Sequence, residues 1–170
     1  MLFETYTLQL VLIALSTYLI GALPTAYLIG RFRGVNVFEV GSGNMGGTNV
    51  ARAMGLQWGL ITVALDICKG IAAIWLAQRI MPDRPLGSSV FGGLMAVTGH
   101  NWSIIASLIC AHYSGKFTLL GGKGAATATG TMIMLVPAQP LIAMVILGVI
   151  LVILTRYVSL GVLAAFSVSL

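Results

Sequence analysis

Long apolar runs separated by short polar turns dominate the chain. The runs cover, approximately, residues 8–29, 56–77, 89–110, 124–136, 141–155 and 157–170. A helix needs about 20 apolar residues to cross a bilayer, and several of these runs are shorter. We therefore predict an all-α, polytopic membrane bundle of six helices of uneven length, connected in part by glycine-rich loops.

Two features predict interruptions within these runs. Pro24 lies inside the first run and should kink it, because proline removes a helical N–H donor and clashes with the preceding turn. The triplet Gly99-His100-Asn101 should interrupt the third run.

Composition supports a membrane protein rather than a soluble domain. Apolar residues make up 58% of the chain, charged residues make up 8%, and the mean hydropathy is +1.01. Soluble domains carry about 25% charged residues. The net charge of +5 comes from basic residues that are scattered between apolar runs, which argues against a nucleic-acid surface. Such residues are better explained as orientation signals and as partners of membrane lipids or anionic substrates.

The basic residues predict an orientation. If the segment after the first helix is cytoplasmic, six basic residues lie inside and two lie outside, as the positive-inside rule favours. The inside set is Arg31, Arg33, Arg52, Lys116, Lys123 and Arg156, and the outside set is Arg79 and Arg84. The N-terminus is then outside, and both glycine-rich stretches face the cytoplasm.

The first glycine-rich stretch is EVGSGNMGGTNVAR, residues 39–52. Its glycines permit positive φ and close approach of the backbone to a ligand, and successive N–H groups can form an anion-binding nest. Hydrogen-bonding side chains and Arg52 add donors suited to phosphate. A flexible linker is the alternative interpretation.

The second stretch is LGGKGAAT, residues 120–127. It resembles a nucleotide phosphate loop, but Gly124 follows Lys123 where that motif requires serine or threonine. An ATP site is therefore disfavoured, whereas a lysine that reaches a phosphate or an acyl phosphate fits.

Two polar groups lie inside the predicted helices. Asp66 and Lys69 are three residues apart on one helix face, and charges in lipid should pair. They form either an internal salt bridge that fixes helix packing or a polar wall of the same site. His100 is either a structural hydrogen-bonding residue or, with Asn101, part of the rim of the site.

Common nucleophilic and metal-dependent sites have no signature here. The sequence contains no G-x-S-x-G elbow, no recognisable serine, histidine and carboxylate set, no acid pair and no metal cluster. If the chain is an enzyme, it should act by positioning and electrostatic stabilisation, without a cofactor or metal.

Six motifs in order carry a family resemblance: GALPTAYLIG, VGSGNMGGTNVARAMG, ALDICKG, GHN, GGKGAATATG and TRYVSLG. From about residue 21 to residue 161, the chain resembles the bacterial membrane acyl-phosphate:glycerol-3-phosphate acyltransferases. The resemblance implies that a fatty acyl group passes from acyl phosphate to the 1-hydroxyl of glycerol 3-phosphate without an acyl-enzyme. The products would be lysophosphatidic acid and phosphate, made at the bacterial inner membrane with the site facing the cytoplasm.

The resemblance also implies roles for individual residues. Arg52 and Lys123 would be the main charged groups on the phosphates, and the remaining site residues would bind substrate. The residues matched to the phosphate sites are Ser42, Gly43, Asn44, Thr48, Asn49, Gly121, Gly122, Gly124 and Ser159. Four further positions match family motifs with less defined roles: Asp66, Lys69, His100 and Asn101.

The chain departs from the family pattern twice. The segment between GHN and GGKG is longer than usual, with an insertion at about residues 106–115 that should lengthen the third helix or reshape the cytoplasmic entrance. The family has seven helices, whereas residues 1–170 are expected to form a single domain that lacks the last one. A transporter or channel for a small phosphorylated solute and an inactive truncated homologue remain the alternative functions.

Overall fold

Eight helices form the part of the chain that the computed structural model describes, residues 2–155, and the all-α prediction is confirmed. In chain order they are α1 (Leu2–Ala22), α2 (Thr25–Phe32), α3 (Gly47–Met54), α4 (Leu56–Ile80), α5 (Pro85–Asn101), α6 (Ile104–Ser114), α7 (Ala125–Leu135) and α8 (Ala138–Thr155). The sixth predicted run, 157–170, lies outside the described residues.

The chain divides into two compact units, one ending at Thr131 and one starting at Met132. In the first unit α1 packs against α4 and α5, α5 also packs against α4, and the short α3 lies on α4. The second unit contains the end of α7 and α8.

Three helical stretches within residues 2–155 are long and apolar enough to cross a membrane. They are Glu4–Phe32, Leu56–Ile80 and Ala138–Thr155, and they correspond to the first, second and fifth predicted runs. The helices α6 and α7 are also apolar but shorter, at 11 residues each. This pattern is that of a multi-pass membrane protein with helices of uneven length.

The predicted break at Pro24 is confirmed, because α1 ends at Ala22 and α2 begins at Thr25. The prediction that Gly99-His100-Asn101 interrupts the third run is wrong, since α5 continues through all three residues. Gly99 is needed there for packing: a Cβ atom on it would overlap the Tyr18 carbonyl oxygen of α1.

The third run breaks instead at Trp102 and Ser103. The Ser103 N–H leaves the helical pattern and donates to the Leu120 carbonyl at 2.8 Å, in an isolated antiparallel bridge. The Ser103 hydroxyl then accepts from the Ala106 N–H at 3.1 Å and caps the new helix α6. The inserted segment is therefore a separate helix and not an extension of the third helix.

The expectation of a loop throughout residues 39–52 is also wrong for the second half, which begins α3 at Gly47. Gly47 and Gly59 let α3 and α4 approach closely, because a Cβ atom on Gly47 would lie 2.7 Å from the Gly59 carbonyl oxygen. An isolated helix of eight residues is marginal, so this contact with α4 stabilises α3.

A small apolar core packs against both glycine-rich segments. Its fully or almost fully buried members come from α2, the segment before α3, α3 and α6: Ala26, Val37, Met45, Val50 and Ala106. Leu120, directly before the GGKG stretch, packs against the same core. One core therefore positions both glycine-rich segments.

Candidate functional site

The first glycine loop, residues 39–46, is held in place by Asn49. This side chain is 2% exposed. Its Oδ1 accepts from the Ser42 N–H at 3.0 Å and lies 3.3 Å from the Ser42 hydroxyl, which also donates to it. Its Nδ2 donates to the Val37 carbonyl at 3.2 Å. The Asn49 amide thus binds the loop backbone on both sides, which leaves it little capacity for a ligand.

Two glycines give this loop its course. Gly41 and Gly43 have φ of 61° and 67°, in the left-handed region that favours glycine. A Cβ atom on Gly41 would also overlap the Asn49 Oδ1. The expected positive φ is present at these two positions, whereas Gly46 is extended with φ of −106° and caps α3.

The second glycine loop, residues 121–124, lies across the C-terminal end of α5. The Gly122 N–H donates to the His100 carbonyl at 3.0 Å. A Cβ atom on Gly121 would overlap the Asn101 carbonyl oxygen, and one on Gly122 would overlap the His100 Nε2. The absence of side chains therefore lets the loop backbone lie directly on His100 and Asn101.

The two glycine loops are joined by a backbone hydrogen bond. The Met45 N–H donates to the Gly121 carbonyl at 3.3 Å. Met45 lies two residues before α3 and Gly121 lies four residues before α7, so this bond joins the segments that lead into two helices far apart in sequence. Free N–H groups and the positive end of the helix dipole make helix starts favourable for anions.

The two cations of these segments are exposed. Arg52 lies in the last turn of α3 and Lys123 lies on the second glycine loop, and neither is hydrogen-bonded or ion-paired with a residue in the range 2–155. Ser42, Asn44 and Thr48 are exposed as well, and the Ser42 hydroxyl donates to Asn49 Oδ1. The side chains available to bind an anion are therefore the two cations, the Asn44 amide and the Thr48 hydroxyl.

Beneath the second loop lies a buried polar cluster of Asp66, Lys69 and His100, which are 1%, 6% and 5% exposed. The Lys69 Nζ lies 2.9 Å from the Asp66 Oδ1, so the predicted pairing of these charges is confirmed. The His100 Nδ1 lies 3.3 Å from the Lys69 Nζ and 3.7 Å from the Asp66 Oδ1. The Thr25 hydroxyl also donates to the Asp66 Oδ1, at 2.5 Å.

The break at Pro24 supplies the remaining partners of Lys69. Its Nζ donates to the Gly21 carbonyl at 3.2 Å and to the Leu23 carbonyl at 2.8 Å. Both carbonyls lie where proline interrupts the helical hydrogen bonds. The Leu23 carbonyl also accepts from the Thr25 N–H at 3.0 Å, so the lysine adds to that bond and satisfies the Gly21 carbonyl. Lys69 therefore connects α1, α4 and α5.

We expect Lys69→Met to lower the free energy of unfolding by about 3 kcal/mol, because it leaves the buried Asp66 carboxylate without its cation. The Gly21 and Leu23 carbonyls would lose a donor as well. Denaturation of the purified protein in detergent micelles would measure the effect. Lys116→Met, which removes an exposed lysine, is the control. Equal stability of the two variants would contradict a structural role for the buried cluster.

Two buried oxygens close to the second loop have no hydrogen-bond partner among residues 2–155: Asn101 Oδ1 and Thr127 Oγ1. Gly124, with φ of 74°, packs against the Asn101 amide, where a Cβ atom would lie 2.5 Å from Oδ1. Thr127 lies in the first turn of α7. Both oxygens thus flank the segment that carries Lys123.

The structure brings both glycine loops, Arg52, Lys123 and the buried cluster into the first unit. Ser159 lies outside the described residues, so its predicted place near the site stays a prediction. Among residues 2–155, no group of three or more histidine, cysteine, aspartate or glutamate side chains is arranged to hold a metal ion.

Several residues that support the site escaped the sequence analysis. Thr25 and Ser103 use their hydroxyls on Asp66 and on the Ala22 carbonyl, and the Ser107 hydroxyl accepts from the Leu120 N–H at 2.9 Å. Thr25 could have been noticed because it directly follows Pro24, since a helix break leaves backbone groups that need hydrogen-bond partners. Ser103 and Ser107 carry no comparable signal.

Comparison with known proteins assigns the chain to a family. Residues 11–170 match the family described as glycerol-3-phosphate acyltransferase. Glycerol-3-phosphate acyltransferase 2 of Moorella thermoacetica is 38% identical over 156 residues, which are 89% of this chain and 71% of that protein. The glycerol-3-phosphate acyltransferase of one strain of Thermus thermophilus is 40% identical over 161 residues, covering 92% of this chain and 73% of that protein.

Solved structures agree with the sequence comparison. PlsY (YgiH), described as an integral membrane glycerol 3-phosphate acyltransferase, matches in its glycerol 3-phosphate form with a TM-score of 0.77 and 29% identity, covering 94% of this chain and 74% of that one. Its lysophosphatidic acid form matches with a TM-score of 0.76, at 29% identity and coverage of 94% and 73%. The chain therefore belongs to the glycerol-3-phosphate acyltransferase family and is an integral membrane acyltransferase.

Proposed function

We propose that the protein transfers a fatty acyl group from acyl phosphate to the 1-hydroxyl of glycerol 3-phosphate, giving lysophosphatidic acid and phosphate. Its relatives are named for glycerol 3-phosphate, and PlsY has been solved in forms with glycerol 3-phosphate and with lysophosphatidic acid. The assignment of acyl phosphate as the acyl donor rests on the motif resemblance and on the cationic character of the site.

One observation carries the proposal: the Met45–Gly121 hydrogen bond joins two glycine loops, the first of which leads into α3 and the second of which carries the exposed Lys123. The reaction needs two phosphate groups near one another, one on the donor and one on glycerol 3-phosphate. The two joined loops, with Lys123 on the second loop and Arg52 in the last turn of α3, offer separate donors for the two phosphates.

The proposed chemistry needs no covalent intermediate on the protein. The glycerol 1-hydroxyl oxygen attacks the acyl carbonyl carbon, and the bond between this carbon and the phosphate oxygen breaks. Phosphate leaves with the electron pair, and the hydroxyl proton passes to a substrate phosphate oxygen. Arg52 and Lys123 hold the two phosphates in place and stabilise the negative charge that develops on the leaving group.

The other predicted residues divide by their surroundings. Asn44 and Thr48 are exposed and would donate to phosphate, together with the backbone N–H groups of Gly121 and Gly124. The Ser42 hydroxyl and the N–H groups of Gly43 and Gly122 already donate within the protein, to Asn49 Oδ1 and to the Val40 and His100 carbonyls, so we assign these three residues to shaping the loops. Asn49, Asp66, Lys69 and His100 are buried and already paired within the protein, so we assign them to holding the loops rather than to contact with substrate. Asn101 retains an unpartnered oxygen beside Gly124.

We further propose that the site faces the cytoplasm of a bacterial inner membrane, with the N-terminus outside. The distribution of basic residues, six against two, supports this orientation. Cysteine labelling from either side of inverted vesicles would test it, with single cysteines at Lys116 and Asp83. Exclusive labelling of position 116 from the periplasmic side would refute the proposed orientation.

The function is tested by offering acyl phosphate, acyl-CoA and acyl carrier protein separately with labelled glycerol 3-phosphate, using the purified protein in detergent or liposomes. We expect lysophosphatidate with acyl phosphate alone and equimolar release of inorganic phosphate. Formation of product from acyl-CoA at the same rate would overturn the donor assignment. Flux of glycerol 3-phosphate into proteoliposomes without acyl transfer would favour a transporter.

A further inference from the structure

A cavity of about 170 Å³ opens on the surface beside the start of the first glycine loop, where its lining residue Asn36 is hydrogen-bonded to Glu39. It lies between α2, the turn that follows α2, and the end of α6, and it is lined by Tyr27, Arg31, Gly34, Val35, Asn36 and Tyr113. We call it the α2–α6 groove. None of these residues belongs to the proposed phosphate-binding set, so the groove is a feature in addition to the acyl-transfer site.

Polar groups that suit an anion line the groove. The Tyr27 hydroxyl donates to the Tyr113 hydroxyl at 3.5 Å, which leaves the Tyr113 O–H to donate to a ligand. Arg31 is exposed, and its guanidinium has no ion pair or hydrogen bond with a residue in the range 2–155. At Gly34, a Cβ atom would meet nothing within 4 Å, so the floor of the groove is open beside the arginine.

The charge around the groove is mainly positive. Arg33 and Lys116 are also exposed and lie close in sequence to the lining residues Gly34 and Tyr113, with the Arg33 guanidinium 5.0 Å from the Trp58 ring centre. The carboxylate nearest along the chain, Glu39, accepts from the Asn36 Nδ2 at 2.6 Å and keeps its negative charge, so three cations stand against one carboxylate. The Asn36 Oδ1 in turn accepts from the Phe38 N–H at 3.2 Å.

The surroundings of the groove are apolar and exposed. Phe32 is 79% exposed and Phe117 is 56% exposed, while Leu28 on α2 is 54% exposed. The groove lies at the end of the Glu4–Phe32 span, where an apolar helix gives way to a polar turn. Tyrosines and basic residues concentrate at that depth of a bilayer, where lipid headgroups are found.

We propose that the α2–α6 groove binds the phosphate headgroup of an anionic phospholipid. Arg31 supplies the charge, the Tyr113 hydroxyl donates a hydrogen bond, and the acyl chains lie along the exposed apolar side chains of α2. Basic pockets between transmembrane helices bind anionic headgroups in this way.

The test is native mass spectrometry of the whole chain, purified in detergent and titrated with phosphatidylglycerol or with phosphatidylcholine. We expect one phosphatidylglycerol to be retained preferentially. Arg31→Gln should weaken its binding about fivefold, as expected for loss of one basic residue at an anionic surface. Tyr113→Phe, an exposed position, should weaken it about threefold through loss of one hydrogen bond.

Arg79→Gln is the matched control, because Arg79 is also an exposed arginine next to an aromatic ring, with its guanidinium 5.0 Å from the Trp75 ring centre. It should leave phosphatidylglycerol binding unchanged. Equal losses for Arg31→Gln and Arg79→Gln would overturn the proposal, as would equal retention of phosphatidylcholine. Displacement of the lipid by millimolar inorganic phosphate would show a small-anion site instead of a lipid site.

Discussion

An Arg52→Ala or a Lys123→Ala variant is expected to form lysophosphatidate at least about 100-fold more slowly than the parent chain. Removal of one preorganised donor to a developing negative charge typically costs a factor of about 10² to 10³ in rate. Both side chains are exposed, so their loss should leave folding and membrane insertion intact. Steady-state assays with acyl phosphate and glycerol 3-phosphate, together with gel filtration in detergent, would measure both properties.

Two further variants sharpen this experiment. Arg52→Lys keeps the charge but loses the planar, bidentate geometry, so its rate should fall between those of the parent chain and Arg52→Ala. Arg79→Ala removes an exposed arginine in the last turn of α4, and its rate of lysophosphatidate formation should be close to that of the parent chain. Near-normal turnover in either Arg52→Ala or Lys123→Ala would refute the role of that residue.

The second large effect is expected from Gly122→Ala, which adds a single methyl group. That group would overlap the His100 Nε2, and His100 is held by Lys69 and Asp66 and has little room to move. The second glycine loop must therefore shift and carry Lys123 with it. A displacement of about 1 Å in a catalytic group can cost about 100-fold in rate. Turnover and thermal stability should be measured on the same preparation.

The control for this variant is Gly87→Ala on α5, where a Cβ atom would meet nothing within 4 Å. It should retain normal activity. A double variant, Gly122→Ala with His100→Ala, removes both overlapping groups and should lose less activity than the two single effects multiplied together. Strictly multiplicative losses would show that contact with His100 is not the cause.

Some features of the fold could be predicted because they depend only on residues that are close together in sequence. The break at Pro24 follows from a missing N–H group, and the Asp66–Lys69 pair follows from a spacing of three residues in a medium that penalises lone charges. Neither depends on distant parts of the chain. The same is true of Gly41 and Gly43, which have the positive φ that glycine allows.

Other features depended on tertiary contacts and could not be predicted. Residues 47–54 contain Gly-Thr-Asn and have weak helical preference, yet they form α3 because Gly47 and Gly59 allow close packing on α4. Gly99 gave a false signal of interruption for a related reason, since its missing side chain accommodates α1. The sequence shows that a glycine is present but not which neighbour approaches it.

The candidate site shows the same division. Basic-residue counting predicted that both glycine loops lie on one side of the membrane, and the structure brings them into contact through Met45 and Gly121. That contact joins two backbone groups, so no side chain in the sequence predicts it. The support given by Thr25, Ser103 and Ser107 likewise depends on acceptors and donors that only the folded chain brings within reach.

The bridge between Ser103 and Leu120 has a consequence for the divergence of such enzymes. The chain leaves the end of α5 and returns to it at adjacent backbone positions, joined by the Ser103 N–H and the Leu120 carbonyl at 2.8 Å. The ends of the intervening segment are thus fixed whatever its length, and lengthening a closed loop costs little free energy. Evolution can therefore add or remove turns of α6, and with them lipid contacts, without shifting the register of Lys123.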